Sequence, residues 1–173
     1  MTHLTIPVGT RDHIQGDEHA SLTLVEYGDY ECPYCGEAYP IVKAVQRHFG
    51  KKLRLVFRNF PLSQMHPHAE LAAEAAESAE AEGKFWAMHD FLYEHQQALR
   101  PTDLISYATT IGLDAKRVVN ELEQRVHMPR VREDFNSGVR SGVNGTPTFF
   151  INGARHDGPW DEQGLIAGLM KHQ

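Results

Sequence analysis

Residues 29–35 read Asp-Tyr-Glu-Cys-Pro-Tyr-Cys, and this stretch joins two segments of opposite character. Before it, Ser-Leu-Thr-Leu-Val-Glu-Tyr-Gly (21–28) mixes β-branched and aromatic residues in a short run bounded by turn formers, the pattern of a buried strand. After it, the pattern turns helical from Pro33 to about His48. Ile41, Val42, Val45 and Phe49 fall on one face, Gly50 is placed to end the helix, and Pro40 is expected to kink it. Residues 53–58, LRLVFR, then read as a second strand. Strand, helix and strand within about 40 residues make a βαβ unit, with parallel strands and a right-handed crossover.

The two cysteines of the chain are Cys32 and Cys35. A bridge across two intervening residues constrains almost nothing in the unfolded chain, so reactivity is the stronger reading than stability. At the start of a helix, Cα atoms at i and i+3 lie about 5–5.5 Å apart, within the range a disulfide tolerates. Cys32 stands at the helix N-terminus, where unpaired N–H groups and the positive dipole end favour an anion. Pro33 suits the first helical position. Cys32 is therefore the expected attacking thiolate and Cys35 the covered thiol that resolves a mixed disulfide. Asp29 and Glu31 oppose a thiolate; if both point to solvent, screening leaves them a small effect, and the helix terminus is expected to win.

Further along, Pro67 opens a helical stretch, and residues 69–82 (AELAAEAAESAEAE) form a helix with its glutamates on a solvated face. Residues 84–97 follow as a helix with Phe85, Trp86, Met88, Phe91 and Leu92 inward. Helices over 102–111, 114–126 and 128–139 complete an all-helical block. Strand character returns at 146–151, TPTFFI, and Asn152-Gly153 signals a hairpin with a returning strand over 154–157. Asp161 caps a last helix whose Leu165, Ile166 and Leu169 pack on the sheet. The layout is one α/β unit, a sheet with helices on both faces. Residues 1–63 (with an N-terminal extension, 1–20) and 141–173 form its core, and residues 64–140 are a helical insertion.

Two more features bear on chemistry. Glu26 lies in the first strand, six residues before Cys32. If buried, it has a raised pKa and trades a proton with Cys35 through a water; if not, it is an exposed strand residue. Thr146-Pro147 opens a strand. The proline is either an edge position or a cis bond that leaves the Thr146 backbone to pair with an extended substrate.

Composition narrows the classes. The 173 residues are 41% hydrophobic and 23% charged, and the net charge of −6 offers nothing to nucleic acid. No apolar run approaches the roughly 18 residues of a membrane span. The opening MTHLTIPVGTRDHIQG lacks the basic start and apolar core of a secretory signal. A cytoplasmic chain is the expectation, with a mature secreted domain behind a new Met1 as the alternative.

Taken together, YGDYECPYC (27–35) and GVNGTPTFFING (142–153) resemble the DsbA-like branch of the thioredoxin superfamily. GKFWAMHDFLYEHQ (83–96) and IGLD (111–114) extend the resemblance over nearly the whole chain. It implies a thioredoxin fold, a mixed central sheet flanked by helices, with an inserted all-helical domain. It implies an exposed nucleophile at Cys32, its buried partner at Cys35, a buried acid at Glu26, a helix-kinking proline at Pro40, and a cis-proline at Pro147 facing the disulfide. Pro33, Tyr34, Thr146 and Pro147 are the expected substrate-contacting residues. Cys-Pro-Tyr-Cys differs from the Pro-His dipeptide of the periplasmic oxidant and matches that of glutaredoxins, so the direction of exchange stays open. The expected partners are protein thiols or disulfides and a redox recycling protein. The chain is expected to be a monomer and needs no cofactor, because the thiols carry the electrons.

Two rival readings stand beside this one. Cys32 and Cys35 with His66 and His68 are the donors of a conceivable zinc site, although His-Pro-His reads more simply as a surface loop before a helix. A redox-inactive binding or chaperone module would keep its function when Cys32 is replaced by Ser. His48, His89, His95 and His127 lie in expected helices and receive no catalytic role.

Overall fold

A computed structural model describes residues 2–173. The first strand with sequence-level character, β2 (Leu22–Gly28), is buried along its whole length, and β3 (Leu53–Asn59) nearly so. They pair in parallel, Leu24 opposite Leu55 and Glu26 opposite Phe57, across α1 (Pro33–Phe49). A central parallel pair covered on both faces needs apolar residues on both, which explains the near-continuous runs. β4 (Thr148–Ile151) lies antiparallel on the other side of β2, and β5 (Ala154–Arg155) closes a hairpin through Asn152-Gly153. With an edge strand β1 (His13–Gln15), the sheet order is β1-β3-β2-β4-β5.

Alternation along β2 divides the core. Leu22 and Leu24 face α1 and α7 (Glu162–Met170), packing with Val42, Val45, Phe149, Leu165 and Leu169. Val25 and Tyr27 face the other way, with Val56, Phe60 and Phe150. Five helices stand between β3 and β4: α2 (Ala69–Glu80), α3 (Phe85–Glu94), α4 (Pro101–Thr110), α5 (Ala115–Glu123) and α6 (Met128–Arg140). This is a thioredoxin-like fold, a mixed sheet flanked by helices.

Four expectations are corrected. The N-terminal extension is not an appendage: β1 (His13–Gln15) adds an antiparallel edge strand to β3. Its one apolar residue, Ile14, carries no readable pattern. The strand is secured from outside, by His13 stacked on Phe85 at 3.6 Å and bonded to Glu77 at 2.8 Å. The glutamates of α2 do not share a solvated face, since Glu74 and Glu77 are buried. That helix is enclosed by its neighbours, and the acids meet Arg125 on one side and His13 with Asn59 on the other. The returning strand is two residues long, because His156 Nε2 bonds the Pro159 carbonyl and turns the chain away. Helices α3 and α5 end three residues earlier than their patterns predict, the latter before Arg125, which sits at φ 54°. As expected, α1 contains Pro40 and runs on through it to Gly50.

Candidate active site

Helix α1 begins where β2 ends. Cys32 is its N-cap, with extended backbone and no side-chain cap, and Pro33 occupies the first turn. The preceding loop is held by Asp29, whose side chain is fully buried. Asp29 Oδ1 accepts the N–H groups of Glu31 and Cys32, at 2.8 and 3.2 Å. Its Oδ2 accepts the Leu62 N–H and the His66 Nδ1–H, both at 2.8 Å. Glu31 is likewise occupied, accepting the backbone N–H of His68 at 2.7 Å and its ring Nδ1–H at 2.9 Å. Asp29 and Glu31 are thus tied to backbone and ring groups rather than turned to solvent. His-Pro-His is the loop before α2, as read, and each of its histidines is seated on one of the two acids that flank the cysteine.

Cys32 Sγ lies 3.6 Å from the Thr146 carbonyl oxygen, and the Thr146-Pro147 peptide is cis. The sulfur of Cys32 is held low, at a pKa of about 5. The leading cause is a hydrogen bond from the Cys35 thiol; burial works against it, and Thr146 and the backbone N–H groups of Cys35 and Tyr34 assist. The helix terminus contributes as expected, but the neighbouring thiol contributes more. Cys32 is only 3% exposed, against the open nucleophile that the resemblance implies; it belongs to the same core cluster as Tyr30 and its sulfur faces the Thr146 carbonyl. Tyr34, beside it, is 61% exposed.

Cys35 is fully covered, and burial pushes its thiol well above the ordinary value, with the hydrogen bond to Cys32 and the charge of Glu26 adding. Glu26 is the buried alternative of the two readings given to it. It shares strand parity with Leu22 and Leu24 and so points to the α1 face. Burial alone raises its carboxyl to about 8. Around this underside, the rings of Tyr30, Phe57, His89 and Tyr93 pack in tilted and edge-to-face pairs, with the Tyr30 hydroxyl 3.0 Å from His89 Nδ1. Burial holds His89 neutral, its pKa well below the ordinary histidine value.

Gln96 is a site residue that pattern reading missed. Its Nε2 donates to the carbonyls of Tyr30 and Cys32, both at 2.9 Å, so the helical block grips the loop that carries the nucleophile. The approach requires Gly36, since a Cβ there would meet Gln96 Oε1 at 2.0 Å. The only trace in the sequence is that Gln96 closes the quoted GKFWAMHDFLYEHQ segment. Cys32, Cys35, Glu26, Thr146 and Pro147 converge. Among the described residues, no group of three or more His, Cys, Asp and Glu side chains is arranged to hold a metal ion.

A family model described as Thioredoxin matches residues 9–169. The chain belongs to the thioredoxin family. Within it, the fold is that of the DsbA-like thiol–disulfide oxidoreductases. Oxidised BdbD from Bacillus subtilis superposes with a TM-score of 0.89 at 22% identity, over 99% of this chain and 97% of its own. A thioredoxin-like oxidoreductase from Silicibacter pomeroyi DSS-3 gives 0.83 at 26% identity, over 94% and 92%. α-DsbA1 of Wolbachia pipientis gives 0.80 at 18% identity, over 97% and 93%. By sequence, the thioredoxin-family chain is 46% identical over 168 residues to Na(+)/H(+) antiporter NhaA 3 of Salinispora tropica. That match covers 96% of this chain and 26% of the antiporter. NhaA 1 of Salinispora arenicola is 47% identical, again with 26% of its length covered. The chain thus spans about a quarter of the curated relatives it matches, and no described helix is long and apolar enough to cross a membrane.

Proposed function

We propose that this thioredoxin-family chain exchanges disulfides with protein substrates through Cys32 and Cys35. The observation that carries the reading is the unequal setting of the two sulfurs, one held low by hydrogen bonds at a helix start and the other held high by burial one turn on. Cys32 forms the mixed disulfide, and Cys35 resolves it. Glu26, buried on the Cys35 side, accepts and returns the Cys35 proton, a role that a carboxyl near 8 suits at neutral pH. Pro33 and Tyr34 flank the sulfur, and the Thr146-Pro147 segment leading into β4 supplies a backbone edge for an extended substrate.

A thiolate stabilised in the reduced form makes the disulfide a good donor, so the proposed direction is oxidation of substrate dithiols. The recycling partner is then a protein that re-forms the disulfide. Ion antiport, the activity in the relatives' names, belongs to proteins of which this unit matches about a quarter, and the proposal attaches only thiol exchange to the chain.

The test is refolding of a reduced, disulfide-requiring protein, paired with a redox titration against glutathione. Cys32→Ser is expected to abolish exchange, and Cys35→Ser to accumulate mixed disulfides visible by mass. A potential above the ~−270 mV of thioredoxin supports the oxidising direction. Turnover by the Cys32→Ser variant overturns the assignment.

A further inference from the structure

The mechanism above leaves a proton unassigned, and the geometry beside Cys32 offers a place for it. When a substrate dithiol reduces the Cys32–Cys35 bond, one substrate thiolate attacks Cys32 Sγ and expels Cys35. A second substrate thiolate then closes the substrate disulfide and releases Cys32. Two electrons pass to the protein pair, one S–S bond breaks and one forms. The substrate gives up two protons. Cys35 keeps one, while Cys32 leaves as a thiolate and leaves the other over.

His66 stands two hydrogen bonds from the Cys32 backbone, through the Asp29 side chain. Asp29 accepts three backbone N–H groups, those of Glu31 and Cys32 on Oδ1 and that of Leu62 on Oδ2, and its Oδ2 meets the His66 ring as an acceptor. The His66 ring must therefore present Nδ1–H to it in either charge state. That fixes the tautomer and leaves Nε2 as the one nitrogen that can gain or lose a proton. The side chain is 14% exposed, enough to trade that proton with solvent.

We propose that His66 is the redox-coupled proton store of the thiol pair, taking up a proton at Nε2 when Cys32 is released as a thiolate and giving it back when the disulfide closes. The groups that face the ring are consistent in sign. From the end of β2 comes Asp29, and from the start of α1 come Glu31 and Cys32. On its own segment, His68 is tied to Glu31, and Glu70 follows within α2. Burial is the largest single effect and opposes charge on the ring, but the hydrogen bond and charge of Asp29 with the Cys32 and Glu31 charges together outweigh it, so the net direction is upward. Closing the disulfide removes the Cys32 charge and with it that part of the push. The charge balance also has a purpose at the site: a buried acid beside a thiolate is repulsive, and a cation on the far side of the acid offsets it.

The inference rests on the thiol-exchange reading, and the experiment separates the two. The His66 ring is titrated by NMR in the oxidised and the reduced protein, with His66→Asn used to assign it among the eleven histidines. Asn keeps an N–H for Asp29 and has nothing to titrate. The expected result is a higher midpoint in the reduced form. In parallel, the equilibrium constant with glutathione is followed from about pH 6 to 8. If the leftover proton goes to solvent, the constant for reducing the protein rises about tenfold per pH unit. The unsubstituted protein is expected to rise less steeply, and His66→Asn to show the full tenfold. A midpoint that is the same in both redox forms, with exchange intact, overturns the role of His66 alone. Absence of exchange in the unsubstituted protein overturns the thiol reading and this inference with it.

Discussion

The two sides of the first turn of α1 are opposites. On the outer side, Cys32 sits among donors: the Cys35 thiol, two backbone N–H groups and a loop whose acid is saturated by four hydrogen bonds. On the underside, Cys35 and Glu26 sit among apolar and aromatic groups, and Glu26 Oε1 has no partner. Negative charge is favoured on one side and penalised on the other, within a single helical turn. The contrast shows that two identical thiols are given different jobs by their surroundings, and each prediction below tests one part of it.

The largest effect is expected in thiolate absorbance. In the reduced protein one sulfur should ionise with a midpoint near 5 while burial keeps the other protonated well above the ordinary thiol range. Replacing Cys32 by Ser should remove the first transition and leave the second. Two sulfurs that titrate together would erase the contrast altogether.

Glu26→Gln probes the underside. The native carboxyl keeps its proton up to about 8, whereas in the unfolded chain it releases it near 4.5. Between these values the native state binds more protons, so stability falls as pH rises through the window. The contribution is whole below 4.5 and lost above 8, a swing of roughly 5 kcal/mol by linkage. Denaturant unfolding at pH 4.5 and pH 9 should show that swing in the unsubstituted protein and lose most of it in Glu26→Gln. The same variant should slow resolution of the mixed disulfide by about 10²-fold, the low end of general acid–base effects. Equal pH dependence in both proteins would show that Glu26 is wetter than its enclosure implies.

The same contrast explains what the sequence did and did not disclose. Strands β2 and β3, helix α1 and the Asn152-Gly153 hairpin were legible because each carries a local period or a turn signal. The cysteine pair was legible because its spacing is itself the chemistry. Strand β1 was not, since three residues with one apolar side chain hold no pattern and the pairing comes from β3. The roles of Asp29, His66 and Gln96 were hidden for another reason. Each acts across 33 to 66 residues of chain, on a backbone group or a ring that only the tertiary fold brings near. Glu74 and Glu77 misled because an alanine-rich helix looks amphipathic until its partners enclose it.

The smallest effect concerns how the helical block holds the outer side. Gln96→Ala removes two hydrogen bonds to the Tyr30 and Cys32 carbonyls and should cost about 1–3 kcal/mol, with a few-fold loss in exchange rate as the nucleophile's loop loosens. Gly36→Ala should mimic it, because the new Cβ and the Gln96 amide would compete for one space. The decisive measurement is the double-mutant cycle. Ala is a better helix residue than Gly by roughly 0.5–1 kcal/mol, so once Gln96 is gone the substitution at Gly36 should turn from harmful to mildly stabilising. A Gly36→Ala cost that persists unchanged in the Gln96→Ala background would mean that the glycine answers to some other contact, and that the loop is held by Asp29 alone.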